Sequence, residues 1–161
     1  METMYMDHTI EVIYLTTADG RHFCNGTDFR TLMHYKANGE TDSMVDYLGS
    51  VFDLQATFAK VNKPIMAIGP GNSLNSGAGL FAASGMPYIN HTSLIAFNEV
   101  QFGFVPHAGT SYYMSRLPGD FGTFLTLTGF PISGKDAIKL KMAEGFIGHH
   151  KDHEYHMQDV L

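Results

Sequence analysis

Glu99 and His107 stand eight residues apart across Pro106, just beyond the apolar run Leu94-Ile95-Ala96-Phe97. Both could border one cleft at the ends of strands, where a carboxylate beside an imidazole suits proton transfer or activation of water. Two glycine-containing turns, CNGTD (24–28) and NSGAG (75–79), each follow a run that reads as a strand. If their backbone N–H groups face one space, they form paired donors that stabilise charge developing on a carbonyl oxygen. Both patterns also arise without a ligand. Glu99 can cap the turn that follows it with His107 at the surface, and tight glycine turns are common.

Other residues carry less. His149, His153 and His156 follow helical spacing beside His150 in the tail GHHKDHEYHMQDV, but no cysteine accompanies them, so the tail reads as a solvated or packing segment and no metal is assigned to it. Cys24 has no local basic cluster beyond His22 and reads as a small buried side chain rather than a nucleophile. Nucleophile-elbow, P-loop and dinucleotide fingerprints are absent.

The elements that must position these residues alternate strand and helix. Ile10 to Leu15 (IEVIYL) reads as a buried strand closed by Asp19-Gly20. HFCNGTDFR (22–30) reads as a loop leading into irregular or helical chain. From Thr41 to Lys60 the residues Met44, Leu48, Val51, Phe52 and Phe58 recur at helical spacing, with Thr41, Asp42 and Ser43 available as caps and Lys63-Pro64 stopping the helix before Asn62. Pro64 to Gly69 is a second buried strand, followed by the glycine-rich stretch Gly69 to Gly79 and a short buried helix from about Gly79 to Gly85. Ser93 to Phe97 is a third strand. Helices are expected at the end of the loop NEVQFGFVPHAGTSYYMSRL, over Asp120 to Leu127, and from Ser133 as N-cap to Gly145. This alternation argues an α/β fold, as a core domain over 1–148 with a His-rich tail over 149–161.

Composition narrows the functions available. The 161 residues fit one domain, and 16 acidic against 10 basic side chains give a charge of -6, which disfavours a basic nucleic-acid face. Only 16% of residues are charged against 44% apolar, so part of the surface is expected to be covered by a partner. A lone cysteine forms no internal disulfide, and no apolar run reaches the roughly 20 residues that span a bilayer. The first eleven residues carry three acids and no Arg, unlike a signal or transit peptide.

The order of four segments resembles the crotonase superfamily, the enoyl-CoA hydratases and isomerases: HFCNGTDFR, NKPIMAIGPGNSLNSGAGLFAAS, IAFNEVQFGFVPHAGTSYYMSRLPG and LTGFPISGKDAIKLKMAEGFI. LTGF followed by SGKDA, with Gly79 where hydratases carry a second glutamate, is most similar to the 3-hydroxyisobutyryl-CoA hydrolases. The resemblance implies a crotonase-like ββα spiral core, here shortened at both ends. It implies an oxyanion hole from the N–H groups of Thr27 and Ser76, with Gly26, Gly77 and Gly79 shaping the thioester site and Glu99 as the catalytic carboxylate. Coenzyme A thioester would be substrate or ligand, with no resident cofactor.

Two departures stand against this. His107 occupies the place of an aspartate in the hydrolase branch, and a triple glycine has become Asn75-Ser76-Gly77. Side chains there could crowd the thioester, and His cannot replace Asp as an anion near neutral pH. The expectation is therefore a catalytically degraded relative of 3-hydroxyisobutyryl-CoA hydrolase, serving as a subunit of a larger, mitochondrial assembly whose other chains complete the fold. The alternatives are an active acyl-CoA thioester hydrolase, or a hydratase/isomerase-like enzyme, completed by another chain, and a passive binder of acyl-CoA.

Overall fold

The computed structural model describes residues 7–148; the histidine-rich tail lies outside the described residues. Strand β1 (Ile13–Leu15) is shorter than the run IEVIYL suggests and lies parallel to β2 (Ile65–Gly69), Ile13 opposite Ile65. Every residue of β2 is buried, which fits a strand flanked on both sides: β1 on one and β4 (Gly85–Ile89) on the other, again parallel. A two-residue strand, β7 (Gly145–Phe146), extends the sheet beyond β4, giving the order β1-β2-β4-β7. A second sheet joins β3 (Asn72–Leu74), β5 (Leu94–Ala96) and β6 (Ile132–Ser133), with β3 and β5 parallel and β5 and β6 antiparallel. Cys24 bridges to Ser73 beside it, which fastens the first glycine turn to the edge of this sheet.

Helices cover these sheets. The segment HFCNGTDFR runs into α1 (Phe29–Asn38), whose N-cap Asp28 accepts hydrogen bonds from the N–H groups of Arg30 and Thr31. Helix α2 (Thr41–Lys60) has the bounds its periodicity predicts, but its N-cap is Glu40 and makes no side-chain bond, so Thr41, Asp42 and Ser43 lie inside the helix rather than capping it. Helix α3 (Ser76–Ala83) begins three residues earlier than glycine content alone suggests, because Ser76, Gly77 and Ala78 are themselves helical, and it is buried as expected. Short helices α4 (Thr110–Met114) and α5 (Phe121–Thr128) follow. Helix α6 (Gly134–Lys139) is capped by Ser133 as predicted but stops well before Gly145, because Lys141 takes a left-handed conformation at φ 58° and turns the chain into β7. The main core joins Ala67, Phe81, Ile89, Ile95, Phe97 and Leu125 between the sheets and α3 to α6.

Candidate active site

The two glycine turns interlock. A Cβ built on Gly26, at φ +78°, would lie 2.4 Å from the Leu74 carbonyl oxygen and 2.9 Å from the backbone nitrogens of Ser76 and Gly77; one on Gly77 would lie 2.3 Å from the Cys24 carbonyl oxygen. Only glycine allows this approach, and it sets residues 26–27 against the start of α3. Ser76, as the first residue of α3, has an N–H with no intrahelical acceptor. The Thr27 N–H likewise has no acceptor among the described residues. Asp28, directly after Thr27, caps α1, and its own N–H donates to the Tyr47 hydroxyl at 2.9 Å. Its carboxyl is held below the ordinary Asp range, first by the Thr31 hydroxyl and then by the Thr31 N–H.

Glu99 opens a 3-10 turn, Glu99–Phe102, whose N-cap Asn98 follows β5 and Phe97, and is fully buried. His107 lies at the foot of the following loop, where its carbonyl oxygen accepts from the Thr110 N–H at 3.0 Å and the Thr110 hydroxyl at 2.6 Å. The ring sits edge-to-face with Phe104 at 5.1 Å and with Phe52 at 6.2 Å. It is buried, so the alternative of a surface histidine is excluded.

These four side chains form one chain. The Ser76 hydroxyl is 2.9 Å from Thr27 Oγ1, Thr27 Oγ1 is 2.8 Å from His107 Nε2, and His107 Nδ1 is 3.2 Å from Glu99 Oε1. The last contact has ion-pair distance but poor hydrogen-bond alignment, so Nδ1 and both carboxyl oxygens of Glu99 lack a hydrogen-bond partner. Catalytic contacts are often misaligned before substrate binds, whereas purely structural buried groups are satisfied.

A cavity of about 160 Å³ opens on Thr27, Ser76, Gly26 and Gly77, with Tyr47 and Gln55 on its far wall. Neither Glu99 nor His107 lines it, which corrects the expectation that Glu99 borders the cleft itself: the carboxyl group reaches it only through His107. Asn75 does not fill it either. Its amide donates to the Asn25 carbonyl oxygen at 3.4 Å, at a backbone φ of 52°. Gly79 packs away from the cavity, with its would-be Cβ 2.6 Å from the Ala108 carbonyl oxygen, so it shapes the His107 turn rather than the pocket. Sequence reasoning missed Tyr47, Leu54 and Gln55; with Val51 they follow helical spacing on one face of α2, a signal present in the chain. A larger cavity of about 390 Å³ beside Phe121, Phe124 and Phe130 holds no comparable group of catalytic side chains. No cluster of metal-binding side chains occurs, and no helix is long and apolar enough to cross a membrane, among the described residues.

The chain is 32% identical over 142 residues to rat mitochondrial 3-hydroxyisobutyryl-CoA hydrolase, covering 88% of this chain and 37% of that protein. It is 34% identical over 132 residues to the small ribosomal subunit protein mS47 of Arabidopsis thaliana, covering 80% of this chain and 32% of that one. It thus spans about a third of the length of these curated relatives. An enoyl-CoA hydratase from Rhodobacter sphaeroides superposes with a TM-score of 0.89 at 25% identity, over 99% of this chain and 47% of that one. A carnitinyl-CoA dehydratase from Mycobacterium thermoresistibile gives 0.84 at 30%, over 97% and 46%. A family model described as enoyl-CoA hydratase/isomerase matches residues 1–158, and the chain belongs to that family, with the crotonase fold and similarity to 3-hydroxyisobutyryl-CoA hydrolases.

Proposed function

We propose that this chain carries the catalytic core of a short-chain acyl-CoA thioester hydrolase of the 3-hydroxyisobutyryl-CoA hydrolase type, working in the mitochondrion. One observation carries the reading: the free N–H groups of Thr27 and Ser76 lie at a cavity whose wall is hydrogen-bonded through the Thr27 hydroxyl to His107, with the Glu99 carboxyl group 3.2 Å behind the ring. The departures at His107 and Asn75-Ser76-Gly77, expected to crowd or weaken the site, leave a cavity open, which Ser76 lines. His107 connects Glu99 to the wall, and Asn75 stays out of the cavity. A volume of about 160 Å³ is below the 300 Å³ or more of ordinary ligand pockets, which favours a small acyl group. The mitochondrial placement rests on the names of relatives such as the rat hydrolase.

The test is thiol release from 3-hydroxyisobutyryl-CoA and other short acyl-CoA thioesters by the protein with whatever chains copurify, compared with Glu99→Gln. Turnover reduced about 100-fold in the variant is the expected outcome. A folded wild type that releases no thiol would overturn it.

The competing reading, a non-catalytic subunit of a mitochondrial assembly, is favoured by two observations. One relative is a ribosomal subunit protein. The second is a row of exposed aromatic and aliphatic side chains on α5, Phe121, Phe124 and Leu127.

A further inference from the structure

We propose that Thr27 Oγ1 is the nucleophile of this site, with His107 Nε2 as the base that receives its proton and Glu99 as the residue that positions the His107 ring. The inference rests on the thioester-hydrolase reading but goes beyond it. That reading requires only that the site cleave a thioester; this one assigns the bond-forming atom to a hydroxyl rather than to a carboxylate or a carboxylate-activated water.

Access is the first reason. A thioester held in the cavity meets Thr27 and Ser76 at the wall, while the Glu99 carboxyl group is fully buried behind the imidazole and absent from the lining. In this arrangement Glu99 lies behind His107, and Thr27 Oγ1 is the group presented to a carbonyl carbon there. Linkage is the second. A hydroxyl becomes nucleophilic when a base lies within hydrogen-bond reach and a third group orients that base. Thr27 Oγ1 to His107 Nε2 is 2.8 Å, and the opposite ring nitrogen faces Glu99 Oε1 at 3.2 Å. With Nε2 accepting the Thr27 proton, the ring proton sits on Nδ1, on the side that faces Glu99, and the contact with Glu99 has to align as substrate binds. Ser76 then donates to Thr27 Oγ1 across 2.9 Å and leaves the Thr27 proton directed at His107.

Rigidity is the third reason. The ring is braced by Phe104 and Phe52, its backbone by Thr110, and Thr27 by Gly26 before it and the Asp28 cap after it. The β-branched threonine adds a stiff χ1. Threonine's own N–H is one of the two free donors, an arrangement that hydroxyl-nucleophile hydrolases use for the oxyanion. His107 and Ser76, the two departures from the family pattern with no evident purpose in sequence, both become members of the same chain.

The chemistry balances. Thr27 Oγ1 bonds to the thioester carbonyl carbon as its proton passes to His107 Nε2, and the oxyanion takes hydrogen bonds from the Thr27 and Ser76 N–H groups. The carbon–sulfur bond then breaks, and His107 returns the proton to the departing thiolate, leaving an acyl ester on Thr27. Water attacks that ester with its proton going to His107; the free acid leaves, and the proton restores the Thr27 hydroxyl.

The test combines acid-quench mass mapping after mixing with 3-hydroxyisobutyryl-CoA and labelling with a fluorophosphonate, which forms a phosphorus–oxygen bond to an activated hydroxyl with loss of fluoride. The expected adduct in both cases is on the peptide carrying Thr27. Thr27→Val, nearly the same shape, is expected to lose adduct and at least about 100-fold of turnover, whereas Thr27→Ser keeps the adduct at a lower turnover than wild type. Glu99→Gln is expected to slow acylation with KM little changed while the adduct stays on Thr27, as befits a positioning residue. An adduct on Glu99 or Ser76, or Thr27→Val turnover within threefold of wild type, overturns the assignment while leaving thioester hydrolysis intact. Fluorophosphonate labelling of Thr27 without thiol release from any acyl-CoA would instead sink the substrate reading and keep the nucleophile. Neither labelling nor release would overturn both.

Discussion

At the scale of residues, the central oddity is a fully buried glutamate whose two carboxyl oxygens make no hydrogen bond. Burying a polar group without partners costs stability, and sites that tolerate it are generally kept for function. Glu99→Gln preserves the shape and removes the acidic group, so its unfolding free energy should stay equal to wild type or rise by up to about 1 kcal/mol. His107→Ala differs: it takes the imidazole away from the buried Glu99 carboxyl group, removes one of the two hydrogen-bond partners of Thr27 Oγ1 and opens a void between Phe104 and Phe52, for a loss of about 3 kcal/mol. Urea unfolding of both variants decides; a Glu99→Gln loss as large as that of His107→Ala would mean that the carboxyl group is chiefly structural. Glu99, His107, Thr27 and Ser76 were all legible as candidates in the sequence, but their connection was not. Thr27 is 49 residues from Ser76 and 80 from His107, and no spacing rule relates hydroxyls so far apart.

Elements explain why the pieces meet. Helix α3 approaches the His107 turn backbone to backbone through Gly79, whose Cβ would stand 2.6 Å from the Ala108 carbonyl oxygen. The second carboxylate of a hydratase therefore has no room at this position unless the 107–110 turn moves. Gly79→Ala should cost about 3 kcal/mol and, by pushing the turn that carries His107, should lower turnover with it. Gly39→Ala is the control: nothing lies within 4 Å of its Cβ position, so only its left-handed φ of +71° is penalised, at about 1 kcal/mol. Thermal or urea midpoints for the pair test this, and equal midpoints would show that the turn yields freely. The long helix α2 was readable from its 3.6-residue pattern and its closing proline, and α1 only as a possible continuation of the loop. Strands β3, β4, β6 and β7 were not. β4 contains Gly85 and Pro87, residues that argue against a strand between two neighbours, and it tolerates Pro87 because β7 pairs only with Tyr88 and Ile89. β3, β6 and β7 have two or three residues each, too few for a period of two to be visible.

For the whole molecule, the question is what the apolar surface of α5 does. Phe121, Phe124, Leu127 and Phe130 are 52, 47, 71 and 55% exposed, and the rings of Phe124 and Phe130 lie 5.8 Å apart. Scattered apolar residues on a surface need no explanation, but here three rings share the rim of one groove. The protein is therefore expected to associate through this face, sedimenting as more than one chain at micromolar concentration. Leu127→Glu combined with Phe121→Ser should return it to single chains, with folding stability within about 0.5 kcal/mol of wild type because both side chains already meet water. Because the groove on this face shares no lining residue with the cavity at Thr27 and Ser76, the same double variant also separates the two functional readings. Thioester hydrolysis that survives dissociation would place the chemistry within one chain, and hydrolysis lost with it would mean that a neighbouring chain completes the cavity. Wild-type protein that sediments as a single chain at every concentration would remove the surface on which the assembly reading depends.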